Sequence, residues 1–483
     1  MAGAHPPRVP CARCGSAAVS APEKSSGERS MRIVGWAAFA AAIACAGPAF
    51  AAAALPFDPD EATRAWIATI GPEALERSNR YYTGGYIIQI ADALLTIAIA
   101  LALLGIGWAR GVRSWLERTV KVFPLVAFGA ALFYLVVSTL IVLPFSYYVG
   151  FVREHRFGLS TQTLPQWFGE WAMGAGIGIV VGAILATIIY LIIRAAKNTW
   201  WIWGSAVTMV FMGALIMAGP VFIAPLFNTY TPMQEGELKD DILAMAQANG
   251  VPADNVYVFD ASRQSNRVTA NVSGLFGTTR ISLADNLINR ASNDDVVRAV
   301  MGHEIGHYVL GHIYSILIMT SMLTLITFAA AHFGFRAIAR NERWGIRDIA
   351  DPAGLPLLAA LIAAIGLVTL PLQRNLTRFH EVQADMFGLN AARAPDGFAE
   401  AAVLLSEYRK MAPTPLEEWV FYTHPSGWNR IHRSMVWKAH EIAAGRLPPS
   451  AGGPPEGWRP DFVVMRERGE SATPAPSPAA ASD

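Results

Sequence analysis

The sequence predicts a mainly α protein, a polytopic transmembrane helical bundle of six to seven spans with a smaller α+β part. The first observation is composition, because 53% of the 483 residues are hydrophobic and only 16% are charged. About a quarter of the residues in a soluble protein are charged. The second observation is a series of long apolar runs, and the third is a pair of polar segments at 228–312 and 374–446. Together they predict helices that face lipid and a folded part outside it.

Apolar runs long enough to cross a membrane, for which about 20 residues are needed, occur six times after residue 55. They are Tyr86–Trp108, Val122–Tyr147, Trp171–Ile193, Trp200–Leu226, Ile313–Phe335 and Leu355–Leu372. Tryptophan and tyrosine cluster at their ends, as in the aromatic belts of membrane interfaces. We therefore expect transmembrane helices and loops in 55–227 and two further transmembrane helices in 313–373.

The two ends of the chain have a different character. Residues 1–30 and 447–483 are rich in small residues and proline and lack apolar periodicity, so we expect disorder there. Residues 31–54 begin with Met31-Arg32, continue as an apolar run and contain an Ala-Phe-Ala sequence at 49–51. This pattern is typical of a secretory signal peptide, and an uncleaved first transmembrane helix is the alternative. Either interpretation directs the chain to a membrane.

The basic residues of the short loops indicate an orientation in the membrane. Ten lie on one predicted side: Arg110, Arg113, Arg118, Lys121, Arg194, Lys197, Arg336, Arg340, Arg343 and Arg347. Five lie on the other: Arg64, Arg77, Arg80, Arg153 and Arg156. Because positive residues are enriched in cytoplasmic loops, we expect the first polar segment to be periplasmic. The Ala-, Gly- and Arg-rich composition and the signal-like start are typical of a multi-pass protein of a bacterial inner membrane.

Composition also limits the partners. The formal net charge is +1, which gives no indication of a nucleic-acid partner, whereas the hydropathy predicts a lipid bilayer as one. The cysteines, Cys11, Cys14 and Cys45, all lie near the start of the chain. The remaining sequence therefore has neither a disulfide framework nor a thiolate metal site.

The first polar segment has an α+β pattern. Helical periodicity is present at Gly236–Gly250 and again at Asn293–Gly311. Between them, the apolar and β-branched residues predict short strands at Val256–Phe259, Val268–Val272 and Arg280–Leu283.

The sequence HEIGH at 303–307 lies in the second of these helical stretches. His303 and His307 are about 40° apart around a helix of ~3.6 residues per turn, so both rings can bind one zinc ion. Glu304 lies beside that face, where it can remove a proton from a zinc-activated water as the water attacks a peptide carbonyl. A chance match on an ordinary amphipathic helix is the alternative, and the motif alone does not exclude it.

The second polar segment offers the further groups that such a site needs. Catalytic zinc requires a third protein ligand and one open position. Glu381 and Asp385 are four residues apart and share a helix face. We expect Glu381 to bind the metal, and Asp385 either to hold the ring N–H of a ligand or to donate a proton during turnover. The alternative for this pair is a solvated helix face.

His424 and Arg430 follow later in the same segment. A histidine donor and a cation suit the oxyanion that develops on the attacked carbonyl. A polar loop followed by a surface helix is the alternative interpretation of these residues.

With these residues in place, the chain resembles the type-1 CAAX prenyl protease family of integral-membrane zinc endopeptidases, from about Phe57 to His440. Blocks that resemble family sequences, in the family order, lie at 151–159, 223–239, 280–287, 303–312 and 375–385. The resemblance implies a fold of seven helices around a large water-filled chamber, with a zincin-like α+β catalytic domain made of 228–312 and 374–446.

The resemblance also implies roles for individual residues. The zinc ligands, one ion per chain, correspond to His303, His307 and Glu381, and the general base to Glu304. The second acid corresponds to Asp385. The histidine and arginine that contact the transition state match His424 and Arg430.

One departure from the family pattern concerns the strand expected to bind substrate. Thr269, Ala270 and Asn271 occupy the place where the family often has Asn-Ala-Tyr. An edge strand pairs with a peptide backbone whatever its side chains are. Cleavage should therefore survive, while the side-chain preference of the family need not apply.

The sequence thus predicts a membrane zinc metalloendopeptidase that acts on peptide or protein substrates. Its substrates are CAAX-box proteins, as the family name suggests, or membrane and misfolded proteins. Two alternatives come from other classes: a catalytically silent membrane scaffold or chaperone, and a transporter with a metal-binding site. The sequence does not indicate an oligomeric state.

Overall fold

The computed structural model describes residues 55–274, 279–339 and 344–468. The predicted N-terminal extension, the predicted signal peptide or first span at 31–54, and the end of the predicted C-terminal tail lie outside these ranges.

In chain order, the first helices are α1 (Pro59–Ala68), α2 (Pro72–Gly105), α3 (Trp108–Thr119), α4 (Phe123–Arg156), α5 (Leu164–Ala195), α6 (Trp200–Leu226) and α7 (Glu237–Ala248). They are followed by α8 (Asp285–Arg290), α9 (Asp294–Val309), α10 (His312–Ile338), α11 (Pro352–Ala392), α12 (Pro395–Leu405), α13 (Pro415–Phe421), α14 (Gly427–Ala443) and α15 (Asp461–Glu467). The strands are β1 (Tyr230–Pro232), β2 (Val256–Phe259), β3 (Ala270–Ser273) and β4 (Arg280–Ala284).

Six of these helices, α2, α4, α5, α6, α10 and α11, are long and apolar enough to cross a membrane. The mean hydropathy of their most apolar windows lies between 1.9 and 2.7. Large apolar side chains are exposed on them, such as Ile87, Val210 and Val368, as expected of helices that contact lipid. Each helix contains most of one predicted apolar run, so the prediction of a mainly α, polytopic membrane protein is confirmed.

The arginine- and lysine-containing segments that follow α2, α5 and α10 contact one another at one end of the bundle. The Arg113 guanidinium on α3 forms a buried ion pair with Asp351, just before α11. Lys197, between α5 and α6, lies 2.5 Å from Asp348. The connections after α2, α5 and α10 are therefore on the same face, which agrees with the alternation of loops inferred from the sequence.

The four strands form one sheet in the order β1-β2-β4-β3. β2 and β4 are parallel, and β1 and β3 each pair antiparallel with a neighbour. Ile281 and Leu283 of β4 are fully buried in a core that includes residues of α7 and α9, such as Ile242 and Val297. β3 is an edge strand packed close to α9. Among the described residues, its side away from β4 has no strand partner and lies beside that helix.

The three predicted strands are present, and they differ from the prediction only in where they begin or end. β3 begins at Ala270, two residues later than predicted, so Thr269 precedes the strand; its carbonyl accepts a hydrogen bond from Ala284 N at 3.0 Å. β1 was not predicted, because Tyr230–Pro232 is only three residues long and contains a proline.

Helices α9 and α11 cross at very short distance. An ideal Cβ built on Gly388 of α11 would lie 2.7 Å from the backbone nitrogen of His303 on α9. One built on Gly302 would lie 3.1 Å from the carbonyl oxygen of Gly388. Small residues let helix backbones approach in this way. The crossing brings the HEIGH segment directly against the turn of α11 that carries Asp385.

One helix crosses the position 373/374, where the sequence predicts the boundary between a membrane span and a catalytic domain. Helix α11 continues without interruption from the apolar segment to Ala392, through Pro371. Likewise, only Leu310 and Gly311 separate α9 from α10. The catalytic segment is thus built on the ends of membrane helices, and the described residues from Leu55 onward belong to one compact unit.

The predicted disorder from Leu447 is wrong for the part of the tail that the structure describes. Helix α15 buries Phe462 and Val463 against α1, α12 and α14. Its first residue, Asp461, receives a hydrogen bond from Arg290 Nε at 2.6 Å. The Pro- and Gly-rich composition around it concealed this short apolar segment.

Candidate metal centre

Helix α9 places two histidines one turn apart on one face. Its N-cap, Asn293, accepts a hydrogen bond from Asp295 N at 3.0 Å, and the acidic first turn suits the positive end of the helix dipole. The helix ends before Gly311, whose positive φ of 64° is easily adopted by glycine. Within this helix, His303 Nε2 and His307 Nε2 lie 3.1 Å apart.

Glu381 of α11 completes a cluster with these two rings. Its Oε2 lies 3.3 Å from His303 Nε2, and its Oε1 lies 3.7 Å from His307 Nε2. One ligand atom from each of the three residues lies within 4.8 Å of the other two. The predicted ligands are therefore together, although Glu381 follows His307 by 74 positions in the sequence (381 − 307).

The arrangement of these three side chains is better explained by a bound metal ion than by hydrogen bonds among them. Glu381 Oε2 is buried and, among the described residues, has no hydrogen-bond partner of proper geometry. Two ring nitrogens and a carboxylate oxygen face a common point, which a bound cation would satisfy. Two histidines and one glutamate, with a fourth position open, form a donor set that catalytic zinc uses.

Asp385 orients the first histidine. With Nε2 of His303 facing the metal position, its Nδ1–H is directed at Asp385 Oδ1, 2.9 Å away. The carboxylate is fully buried and also accepts hydrogen bonds from Arg430 Nη2 at 2.6 Å and Arg433 Nη1 at 2.9 Å. Two guanidinium groups stabilise the ionised carboxylate. This geometry favours the orienting role over proton donation.

His312 orients the second histidine, and sequence reasoning missed it. Nδ1 of His307 lies 2.9 Å from Nδ1 of His312, whose Nε2 lies 3.2 Å from Gln383 Oε1. If His307 binds through Nε2, its Nδ1–H donates to His312, and the other N–H of His312 donates to the Gln383 amide oxygen. The signal in the sequence was a third histidine just beyond HEIGH, at the start of the next helix.

Glu304 lines a cavity of about 140 Å³ together with His303 and Arg430, and we name it the metal cavity. Burial raises the pKa of Glu304, while the neighbouring His303 and His307 act in the opposite direction. A carboxylate in this environment is a stronger base than an exposed one. A bound cation would stabilise its ionised form.

His424 and Arg430 lie on the same cavity. His424 Nε2 lies 3.3 Å from Glu381 Oε2, and its Nδ1 lies 2.9 Å from Thr423 Oγ1. Burial and the charge of Arg409 lower the pKa of His424 to about 3, so the ring is neutral. A neutral imidazole N–H and the Arg430 guanidinium are thus both available as donors beside the metal position.

The predicted substrate-binding residues are not equivalent. Thr269 and Ala270 line the cavity. Asn271, which pairs with Ser282 of β4, is not among the residues that line it. Successive side chains of a strand point to opposite faces, so Ala270 and Asn271 do not face the same side.

Comparison with known proteins connects this geometry with a family. A profile of Peptidase family M48 matches residues 232–436, and one described as the CAAX prenyl protease N-terminal region, with five membrane helices, matches residues 61–229. CAAX prenyl protease 1 of Saccharomyces cerevisiae is 31% identical over 320 residues, which cover 61% of this chain and 68% of the yeast protein.

Other similar proteins agree. An uncharacterized metalloprotease, YhfN of Bacillus subtilis, is 28% identical over 338 residues, covering 69% of this chain and 78% of the relative. The crystal structure of Saccharomyces mikatae Ste24p has the same fold, with a TM-score of 0.63 at 24% identity, covering 77% of this chain and 94% of that one. The chain therefore belongs to peptidase family M48, in the group of the CAAX prenyl proteases, and is a multi-pass membrane metalloendopeptidase.

Proposed function

We propose that this metalloendopeptidase uses one zinc ion per chain, held by His303, His307 and Glu381. The observation that carries the proposal is the convergence of two ring nitrogens and a buried carboxylate oxygen that lacks a hydrogen-bond partner. When bound, zinc would supply a Lewis acid that polarises the peptide carbonyl and makes water more acidic.

The protein side chains supply the proton transfers and the charge stabilisation. Glu304, on the metal cavity, takes the proton from the attacking water and returns it to the leaving amine. His424 and Arg430 donate hydrogen bonds to the oxyanion that forms on the carbonyl. Asp385 keeps His303 in the tautomer that presents Nε2 to the metal.

The substrate lies along the free edge of β3. A peptide there forms backbone hydrogen bonds with the strand beside Thr269 and Ala270, and it adds a fifth strand to the sheet. Backbone pairing of this kind selects extended peptides rather than particular side chains. Asn271 of the same strand directs its backbone groups at β4, so it contributes by holding the strand in place.

The decisive experiment is to compare purified wild-type protein, a Glu304→Gln variant and chelator-treated protein on a fluorogenic peptide. We expect Glu304→Gln to retain one zinc per chain and to lose at least about 100-fold in kcat, because general-base catalysis is removed. Equal hydrolysis by Glu304→Gln would contradict the mechanism. Zinc content, measured by atomic absorption, should fall to zero in Glu381→Gln and after chelation.

The silent-scaffold and transporter alternatives are not favoured. A catalytically silent member would lack a metal ligand or the base. Here His303, His307 and Glu381 lie together, and Glu304 lines the cavity beside His303. The metal ligands also lie at the end of the bundle rather than at the midplane of broken helices, where transporters bind their substrates.

The physiological substrates are proposed to be membrane and misfolded proteins. The named relatives include CAAX prenyl proteases, so a peptide ending in a CAAX box is the second candidate. Incubating the enzyme with casein, with an unfolded membrane protein and with a prenylated CAAX peptide separates these possibilities. Preference for the prenylated peptide by kcat/KM would favour the second candidate.

We also propose that the protein lies in a bacterial inner membrane with the metal centre on the periplasmic side. The basic connections that contact one another through Arg113, Lys197 and their partners would then be cytoplasmic. A phosphatase fused after Leu226 should be active, because that enzyme requires the periplasm. A fusion active only with a cytoplasmic reporter would reverse the orientation.

A further inference from the structure

A second cavity, of about 480 Å³, adjoins the metal cavity. Arg409 and His424 line both cavities, so a peptide bound at the metal position can extend directly from one to the other. Five cations line the second cavity, which we name the cationic chamber: Arg153, Arg267, Arg374, Arg409 and Lys410. No aspartate or glutamate belongs to its wall within the described part of the chain.

Three of the five cations have a carboxylate partner outside the chamber wall. Lys410 Nζ lies 2.8 Å from Glu417 Oε1. Arg267 Nη2 and Arg153 Nη1 lie 2.6 Å and 3.5 Å from the two oxygens of Glu154. Two carboxylates thus partner these three cations, and Arg153 and Arg267 share one of them.

Arg374 and Arg409 are different. Among the residues that the structure describes, neither guanidinium has a carboxylate oxygen within 4.0 Å. Nε of Arg374 is buried and has no hydrogen-bond partner there. Both side chains line the chamber, together with Tyr82. Two uncompensated cations in a partly enclosed space repel each other, and an anion bound between them would remove that repulsion.

Strand β3 connects the chamber with the direction of the substrate. The chamber lies towards the N-terminal end of the strand, since Arg267 lines the chamber while Ala270 lines the metal cavity. The hydroxyl of Tyr408, next to Arg409, donates to the carbonyl of Val268 at 3.3 Å. A peptide paired antiparallel with β3 therefore extends its C-terminal side into the chamber. A parallel peptide would bring its amino terminus there, which the cations repel.

We propose that Arg374 and Arg409 form a subsite for a carboxylate on the C-terminal side of the scissile bond; this subsite rests on the endopeptidase function proposed above. Guanidinium groups bind carboxylates through paired N–H donors. The carboxylate comes from the C-terminus of the substrate or from an acidic side chain. Both present the same group, so the experiment must distinguish them.

The test uses three fluorogenic peptides with one apolar sequence. The first ends in a free carboxylate, the second in an amide, and the third in an amide with one glutamate on the C-terminal side of the cleaved bond. We expect the KM of the wild-type enzyme to be about tenfold lower for the free acid than for the amide, as for a charge-assisted hydrogen bond. A low KM for the third peptide as well would identify an acidic side chain as an equivalent source.

The variants assign the effect to the two arginines. Arg374→Gln and Arg409→Gln should each reduce the difference between acid and amide to less than about threefold, while Arg374→Lys should retain part of it. Arg118→Gln is the matched control, because Arg118 is an exposed arginine on α3, outside the chamber. Equal KM values for acid and amide in the wild type, or an unchanged ratio in both glutamine variants, would overturn the proposal.

A binding measurement separates this proposal from the function on which it rests. An N-acetylated apolar pentapeptide, as free acid or amide, is titrated calorimetrically into zinc-loaded Glu304→Gln protein. Tighter binding of the acid by about tenfold, lost in Arg374→Gln, supports the subsite even if no peptide is hydrolysed. Equal binding of acid and amide, together with normal hydrolysis of the neutral peptide, would remove the subsite and leave the endopeptidase intact.

Discussion

At the scale of single residues, the two ligand histidines are held by different partners. His303 is directed by the ionised carboxylate of Asp385, and His307 by the neutral ring of His312. A carboxylate makes the imidazole it contacts more basic than a neutral acceptor does. We therefore expect the two rings to contribute unequally to metal affinity.

The first prediction concerns His312. Replacing it with alanine removes the acceptor for Nδ1–H of His307, so the ring is free to rotate. We expect His312→Ala to weaken zinc affinity about 10- to 100-fold, measured by competition with a fluorescent chelator. His440→Ala is the control, because His440 is an exposed histidine on α14; an unchanged affinity in His312→Ala would rule out the orienting role.

The sequence predicted the residues of the site that follow from spacing. His303, Glu304 and His307 are marked by helical periodicity, and Glu381 and Asp385 by their own spacing of four. His312 and Arg433 could not be assigned in this way. Their roles depend on the turn at Gly311 and on how α14 packs against α11, and both are properties of the assembled fold.

At the scale of elements, the crossing of α9 and α11 determines the metal geometry. A methyl group on Gly388 would lie 2.7 Å from the backbone nitrogen of His303, so one of the two helices would have to shift. The helices would have to separate by a few tenths of an ångström or more. The distance between Glu381 and the two histidines would increase with them.

The second prediction tests this crossing. We expect Gly388→Ala to lower kcat/KM and zinc affinity by more than about tenfold, because overpacking of a close contact costs about 1–3 kcal/mol. Gly366→Ala is a matched control on the same helix, since nothing lies within 4 Å of a Cβ at that position. Equal effects of the two substitutions on chelator competition and hydrolysis would exclude a specific role for the crossing.

The limits of sequence reasoning at this scale have a physical cause. Hydropathy detected the apolar part of α11 but placed its end at Leu372, because the sequence becomes polar where the helix leaves the lipid. The helix itself does not end there, because its backbone hydrogen bonds form within the helix both in lipid and outside it. The composition around α15 likewise gave no sign of a helix, because its apolar residues are explained only by their packing against α1.

At the scale of the whole molecule, the third prediction is that metal binding stabilises the fold. A ligand that binds only the native state adds about 2.7 kcal/mol at a free concentration 100-fold above its Kd. We therefore expect zinc to raise the Tm of apoprotein in detergent, followed by tryptophan fluorescence. The rise should persist in Glu304→Gln and disappear in Glu381→Gln. A zinc-dependent rise of equal size in Glu381→Gln would place the ion elsewhere.

The unbroken passage of α11 from the apolar core to Glu381, and the two-residue link between α9 and α10, couple the chemistry to the bilayer itself. Membrane helices respond to a thinner or thicker bilayer by tilting, and each tilt of α10 or α11 moves one half of the ligand set relative to the other. Enzyme reconstituted in lipids of graded acyl length should show a maximum of kcat at one thickness, and a flat profile would contradict this coupling. Such a profile would make the lipid composition of the membrane a control on the rate of proteolysis.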